Sequence, residues 1–209
     1  MSPRAYKLGQ RQLATEQTRG RIIAAARDLL AEENGPAGFT LDAVARKANV
    51  ARMTVYYQFD SKRGLLEALF DDLATRGLMP HLRPVFHEPD SKRALNTLIG
   101  AFAAFWEADR VVLRRARALA ALDGDVAASI RERDEMRRGH LSKIVGRLYE
   151  GKGSTAAKAL AVDVDVLHML TSFETFDALR SADRSLEDTR RIVCQLAAAV
   201  IESSPKAVR

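Results

Sequence analysis

Between Thr40 and Ser61, two residues whose side chains suit a helix start, the chain reads "TLDAVARKANVARMTVYYQFDS", and that interval has room for two short helices. Leu41, Val44, Ala45 and Ala48 share one face of a helix begun by Thr40, with Asp42 in its first turn. Asn49 then offers a residue that tolerates the left-handed conformation, which ends that helix. Residues 51–59 follow at once and crowd Thr54, Val55, Tyr56, Tyr57 and Phe59 together, all of poor helix propensity. Such a segment holds its shape only if its neighbours hold it. Val55 and Phe59, at i and i+4, would anchor it, which leaves Arg52, Thr54, Tyr56, Tyr57 and Gln58 pointing outward. Two short helices joined through "KANVA" make a helix-turn-helix, whose second helix lies in a DNA major groove. A phenol gives reach, stiffness and one donor at little entropy cost, which suits phosphate and base-edge contacts. The competing reading is that Tyr56 and Tyr57 pack in the core.

Helical periodicity extends through the rest of the chain. Ile22, Ile23, Ala26, Leu29 and Leu30 line one face of a helix over residues 18–33, which "ENGP" ends. Ser61 caps a further helix that turns Leu65, Leu66, Leu69, Phe70 and Leu73 inward. The three prolines of "GLMPHLRPVFHEP" predict a loop near residues 77–91. Beyond it, apolar stripes run through Leu95, Leu98, Ile99, Phe102 and Trp106, then through Val112, Ala116 and Leu119, and then through Ile130, Leu141, Ile144 and Leu148. Residues 155–180 read as one long helix, and Ser185 with Asp188 as a capping box for the last. "AVDVDVLHML" alternates like a strand, but no second strand-like run exists to pair with it, so it reads as helix. Residues 1–14 are expected to be unstructured.

Composition limits the function classes. The chain has 209 residues, 47% of them apolar, enough to bury a sizeable core. No apolar run reaches the roughly 18 to 20 residues that span a bilayer, and the basic start lacks the apolar stretch of a secretory signal, so a cytoplasmic protein is expected, with no membrane partner. A single cysteine, Cys194, forms no internal disulfide and no cysteine-based zinc site. Eleven of the 33 cations but only six of the 27 anions precede residue 64, so nearly all of the net charge of +6 sits at one end of the chain. An anionic polymer would dock there, although a solvated basic surface has the same composition.

The stretch "FTLDAVARKANVARMTVYYQFDSKRGLLEALF", residues 39–70, resembles the TetR family of bacterial transcriptional regulators. Helix one ahead of it and the all-helical remainder agree with that family. The resemblance implies an all-α fold in two parts: a three-helix helix-turn-helix DNA-binding domain with a basic N-terminal arm over residues 1–62, and a helical effector-binding and dimerisation domain over residues 63–209. By the family's pattern Thr40 caps helix two and touches a phosphate, while Arg52, Thr54 and Tyr57 meet operator bases and backbone. Tyr56 and Lys62 match phosphate contacts, the latter at a helix start that favours an anion. Four departures stand out: Asn49 for glycine, Ala51 for a Ser or Thr cap, Gln58 for His or Tyr, and Arg63 with Gly64 for an acidic and small pair. Gln58 could contact an adenine instead of a phosphate. Arg4, Lys7 and Arg11 form an arm that could reach a minor groove or simply be a solvated tail.

The resemblance further implies a homodimer, through residues 155–180 and 186–202, that reads a palindromic double-stranded operator and acts as a repressor. A small-molecule effector in the C-terminal domain would release the operator. Candidate effector contacts are Phe102, Phe105, Trp106, Arg117, Phe173 and Phe176, which would serve equally as ordinary core. The alternative is a DNA-binding dimer with no effector, governed by a protein partner. No enzyme is expected: His81, His87, His140 and His168 are scattered, without an acid or nucleophile at a working spacing. His81 and His87 lack a third metal ligand. Asp163 and Asp165 lie about 200° apart on a helix, whereas Asp165 and His168 share a face suited to an ion pair or a dimer contact. No cofactor or metal is implied.

Overall fold

The computed structural model describes residues 3–33, 35–150, 153–180 and 183–203. Their helices are α1 (Pro3–Ala31), α2 (Gly35–Gly38), α3 (Leu41–Ala48), α4 (Arg52–Phe59), α5 (Lys62–Gly77), α6 (Met79–His87), α7 (Ser91–Ala108), α8 (Arg110–Ala120), α9 (Gly124–Gly146), α10 (Gly153–Leu170), α11 (Phe173–Leu179) and α12 (Leu186–Ser203). Among the described residues there is no strand, and the alternating "AVDVDVLHML" lies within α10. None of these helices is long and apolar enough to cross a membrane.

The chain divides into two compact units, Met1–Asp72 with Val111–Ser129, and Leu73–Arg110 with Ile130–Arg209. In the first, α1 packs on α2 and α3, and α3 on α4. Ile22 and Leu30 of α1, Val44 of α3, Val55 of α4, Leu65 and Leu69 of α5 and Ala116 of α8 are completely buried there. Each large aliphatic side chain so buried contributes roughly 1.5–3 kcal/mol, which is how an α4 of weak intrinsic propensity keeps its shape. From α8, the Arg115 guanidinium donates to the Leu30 carbonyl at 3.2 Å and to that of Glu32, satisfying acceptors that the end of α1 leaves open. In the second unit α7 packs on α6, α11 and α12, and α10 packs on α11 and α12. Its core includes Leu98, Ile99, Leu141, Ile144, Leu167 and Val193.

Three expectations from the sequence are corrected. Residues 3–14, expected to be unstructured, continue α1 toward its start. The proline-rich stretch is a helix, α6, on which both His81 and His87 fall. Pro80 stands in its first turn, where an N–H has no helical partner anyway, and Pro84 forfeits one bond while Leu82 and Val85 bury the helix against its surroundings. Residues 155–180 are not one helix. Ser172 interrupts them by accepting from the Thr175 N–H at 3.1 Å, and Thr175 Oγ1 donates to the Met169 carbonyl at 2.7 Å, so α11 starts afresh. The capping box ahead of α12 is present, with the Asp188 N–H donating to Ser185 Oγ at 3.0 Å.

Candidate nucleic-acid interface

The reading surface is assembled by caps. Thr40 Oγ1 accepts from the Ala43 N–H at 3.1 Å and starts α3, and Asn49 ends it at φ 53°, ψ 52°, in the left-handed region where Asn is tolerated. α4 begins after Ala51, which gives no side-chain cap, and ends at Asp60, whose φ of 61° is a strained position for a residue with a Cβ. The turn into α5 is tight: Ser61 N–H donates to the Phe59 carbonyl at 2.6 Å, and Ser61 Oγ accepts from the Gly64 N–H at 3.0 Å. A Cβ on Gly64 would lie 2.1 Å from the Phe59 carbonyl oxygen, so glycine is required there for the close approach of two backbones.

On α4 itself Val55 and Phe59 face inward, as their spacing predicts. Arg19 lies over the Phe59 ring at 4.4 Å and donates to the Gln58 carbonyl at 2.8 Å, fastening the end of α4. The outward face is Arg52, Met53, Tyr56 and Tyr57, with Tyr57 82% exposed and Met53 55%. Thr54 and Gln58 are only half-exposed, so they flank that face. Met53, not among the residues singled out from the sequence, stands beside Arg52 and one turn from Tyr56 and Tyr57, a placement on the outward face that its spacing already offered. Arg52 is held 3.3 Å from Asp42 of α3 and 5.8 Å from the Tyr56 ring. Thr40 remains exposed, its hydroxyl proton available for an anion.

Lys62, the first residue of α5, is engaged. Its ammonium meets Asp123 Oδ2 at 2.7 Å and lies 5.7 Å from the Phe39 ring. Asp123 Oδ1 also accepts from the Asp125 and Val126 N–H groups at 3.1 and 3.3 Å, at the start of α9. The hydrogen bond from Lys62, with help from these N–H groups, holds the Asp123 carboxyl below its ordinary range despite partial burial.

Five of the six candidate effector contacts gather in the second unit. Trp106 stacks on Phe102 at 5.6 Å, tilts against Phe105 at 4.8 Å and meets Phe173 edge-on at 5.9 Å, while its Nε1 donates to the Thr171 carbonyl at 3.1 Å. Trp106, Phe173 and Phe176 border a space of about 10 Å³, room for roughly one water molecule. Its charged lining is internally paired, Arg110 to Asp177 at 2.7 Å and Arg180 to Glu107 at 3.3 Å. Arg117 lies on α8, in the first unit. Of the carboxylates, Asp163 is buried and accepts from the Tyr149 hydroxyl, while Asp165 is exposed and pairs with Arg138. His168 Nε2 lies 2.9 Å from the Asp134 carbonyl. Among the described residues no group of three or more His, Cys, Asp or Glu could hold a metal ion.

Residues 22–69 match the family model described as bacterial regulatory proteins, tetR family. By this segment the chain resembles the TetR family. The match supports reading this segment as the DNA-binding part of a transcriptional regulator. Solved structures of transcriptional regulators repeat the fold along nearly the whole chain. A transcriptional regulator from Rhodococcus sp. Rha1 is 22% identical with a TM-score of 0.68, over 89% of this chain and 97% of that one. A TetR transcription regulator from Haloarcula marismortui is 21% identical with a TM-score of 0.63, over 91% and 100%. The fatty acid degradation regulator FadR from Bacillus halodurans is 17% identical with a TM-score of 0.62, over 89% and 95%. At these identities the likeness is one of fold. No curated protein matches the sequence. At three positions that depart from the TetR pattern the structure shows the consequence: Asn49 takes the conformation that glycine would, Ala51 leaves α4 without a side-chain cap, and Gly64 admits the Phe59 carbonyl.

Proposed function

We propose that this chain is a TetR-like homodimeric repressor that grips a palindromic operator through the exposed face of α4. The observation that carries the reading is that face: Arg52, Tyr56 and Tyr57 stand outward on a short helix whose underside, Val55 and Phe59, is buried. In this reading residues 1–62 are the DNA-binding domain and residues 63–209 the regulatory and dimerisation domain. Thr40, Tyr56 and Lys62 contact phosphate; Arg52, Thr54, Tyr57 and Gln58 contact bases and the adjoining backbone.

One short helix reads too few bases, so two copies are needed. The surface for the second copy is on α10 and α12, where Val162 and Met169 are exposed and spaced i, i+7, and Leu196 is exposed on the neighbouring helix. In sedimentation the protein should run at twice its chain mass. Leu196→Asp should run as a monomer with unchanged helical circular dichroism and lose affinity for the inverted repeat; a variant still dimeric, or a monomeric wild type, would contradict this interface.

For release, the ring cluster around Trp106 is the effector site of this reading, opening from its filled state to admit an apolar or aromatic molecule. Trp106 is the chain's one tryptophan, so its fluorescence reports the cluster alone. An effector should change that fluorescence and release the operator at the same concentrations. The filled, charge-paired cluster also favours the second reading, a dimer without an effector and governed by a protein partner. Operator release by a partner protein with no change in Trp106 emission would select it.

A further inference from the structure

The outward face of α4 carries one side chain without a role in the contacts above. Met53 lies in the first turn of α4, 55% exposed, beside Arg52 and one turn from Tyr56 and Tyr57. Met53 takes no part in anchoring α4, which Val55 and Phe59 supply from the other side of the helix, so its side chain is left on the face that Arg52, Tyr56 and Tyr57 share.

We propose that Met53 reads the C5 methyl group of a thymine in the operator. The inference rests on the reading of α4 as the helix that enters the major groove. A thioether has no hydrogen to donate and is a weak acceptor, so it cannot tell one donor and acceptor pattern of base edges from another. The apolar group that thymine presents in the major groove is its methyl, and that is the feature a methionine can recognise. Its position fits, because residues in the first turn of a recognition helix are those that meet base edges. Its chemistry fits as well, since an unbranched, polarizable side chain with three rotatable bonds adapts to a methyl group whose depth it does not set. Arg52 beside it has the fork that pairs with guanine O6 and N7, so each half-site should hold a guanine and a thymine close together.

The test uses the full chain and the duplex it enriches from a random library. Each thymine of that duplex is replaced in turn by deoxyuridine, which removes the methyl and keeps the pairing. At one thymine per half-site the wild type should lose about fourfold in affinity, the worth of one methyl withdrawn from water, and about sixteenfold with both half-sites changed. Met53→Ala should bind the thymine duplex more weakly and no longer distinguish the two bases, whereas Met53→Leu should still distinguish them. A folding defect in either variant would weaken both duplexes alike and leave their ratio unchanged, so the ratio isolates the contact. Thymines that are all indifferent to loss of the methyl, or a preference that survives Met53→Ala, would overturn the assignment. A library that yields no enriched duplex would overturn the reading of α4 as a recognition helix, and the assignment with it.

Discussion

Asp123→Asn should tighten DNA binding. In the free protein the carboxylate of Asp123 holds the Lys62 ammonium at 2.7 Å, so an operator phosphate that takes Lys62 must first displace an internal anion. The side chains are 29% and 23% exposed, which places the pair near the surface class, worth roughly 0.2–1 kcal/mol. Taking about 0.5 kcal/mol per subunit, two subunits give about 1 kcal/mol, or about a fivefold gain in affinity. Asparagine keeps the side-chain shape and an oxygen that can accept from the Asp125 and Val126 N–H groups, so the start of α9 should be retained. Fluorescence anisotropy with a selected duplex at fixed salt measures the gain, and a double-mutant cycle assigns it. In a Lys62→Ala background the Asp123→Asn gain should vanish. An unchanged or weakened affinity in a folded Asp123→Asn protein would refute the reasoning, and an equal gain without Lys62 would reduce the effect to net charge.

Further predictions follow from the same geometry. Gly64→Ala should destabilise the protein by about 2 kcal/mol or more despite alanine's better helix propensity, because the new Cβ would lie 2.1 Å from the Phe59 carbonyl oxygen; an unchanged melting temperature would contradict the tight turn. Phe59→Ala should cost about 3–5 kcal/mol by denaturant titration, since the ring is buried under Arg19; a loss below 1 kcal/mol would mean that α4 is anchored elsewhere. Burial, then the charge of Arg137, pushes the His168 imidazole below its ordinary 6.5, so the unfolded chain takes up the proton first. Its contribution is intact above about pH 6.5 and declines as the pH falls through 6.5 toward the folded value, and His168→Gln should flatten that part of the stability profile. Lys62→Ala should weaken all duplexes alike, whereas Arg52→Ala should relax preference at particular bases; parallel losses on every sequence would contradict the division of roles.

What could be read from the sequence was what short-range chemistry decides. Thr40, Asn49 and Ser61 punctuate α3, α4 and α5 through contacts within a few residues of themselves, and Val55 with Phe59 follows from the helical period. What escaped depends on partners distant in sequence or on competing local rules. Lys62 and Asp123 are brought together by the fold, and no periodicity links them. Pro84 argued for a loop, but burial of Leu82 and Val85 outweighs one lost hydrogen bond. Residues 155–180 read as one helix, yet the Ser172 hydroxyl captures the Thr175 N–H and starts α11. Gly64 stood out in the sequence only as a departure from the family's pattern, whereas it is the residue that lets α5 begin against α4. At the candidate interface the outward placement of Arg52, Tyr56 and Tyr57 was legible from spacing alone, whereas the exposure of Met53 beside them emerges only from the structure.

The most direct test is selection of random duplexes by the purified protein, followed by binding to the enriched sequence over a range of salt. The account predicts an inverted repeat whose log affinity falls linearly with log salt, as phosphate contacts from two copies require. A library without enrichment, or an enriched site lacking two-fold symmetry, would contradict a dimer that reads DNA through α4.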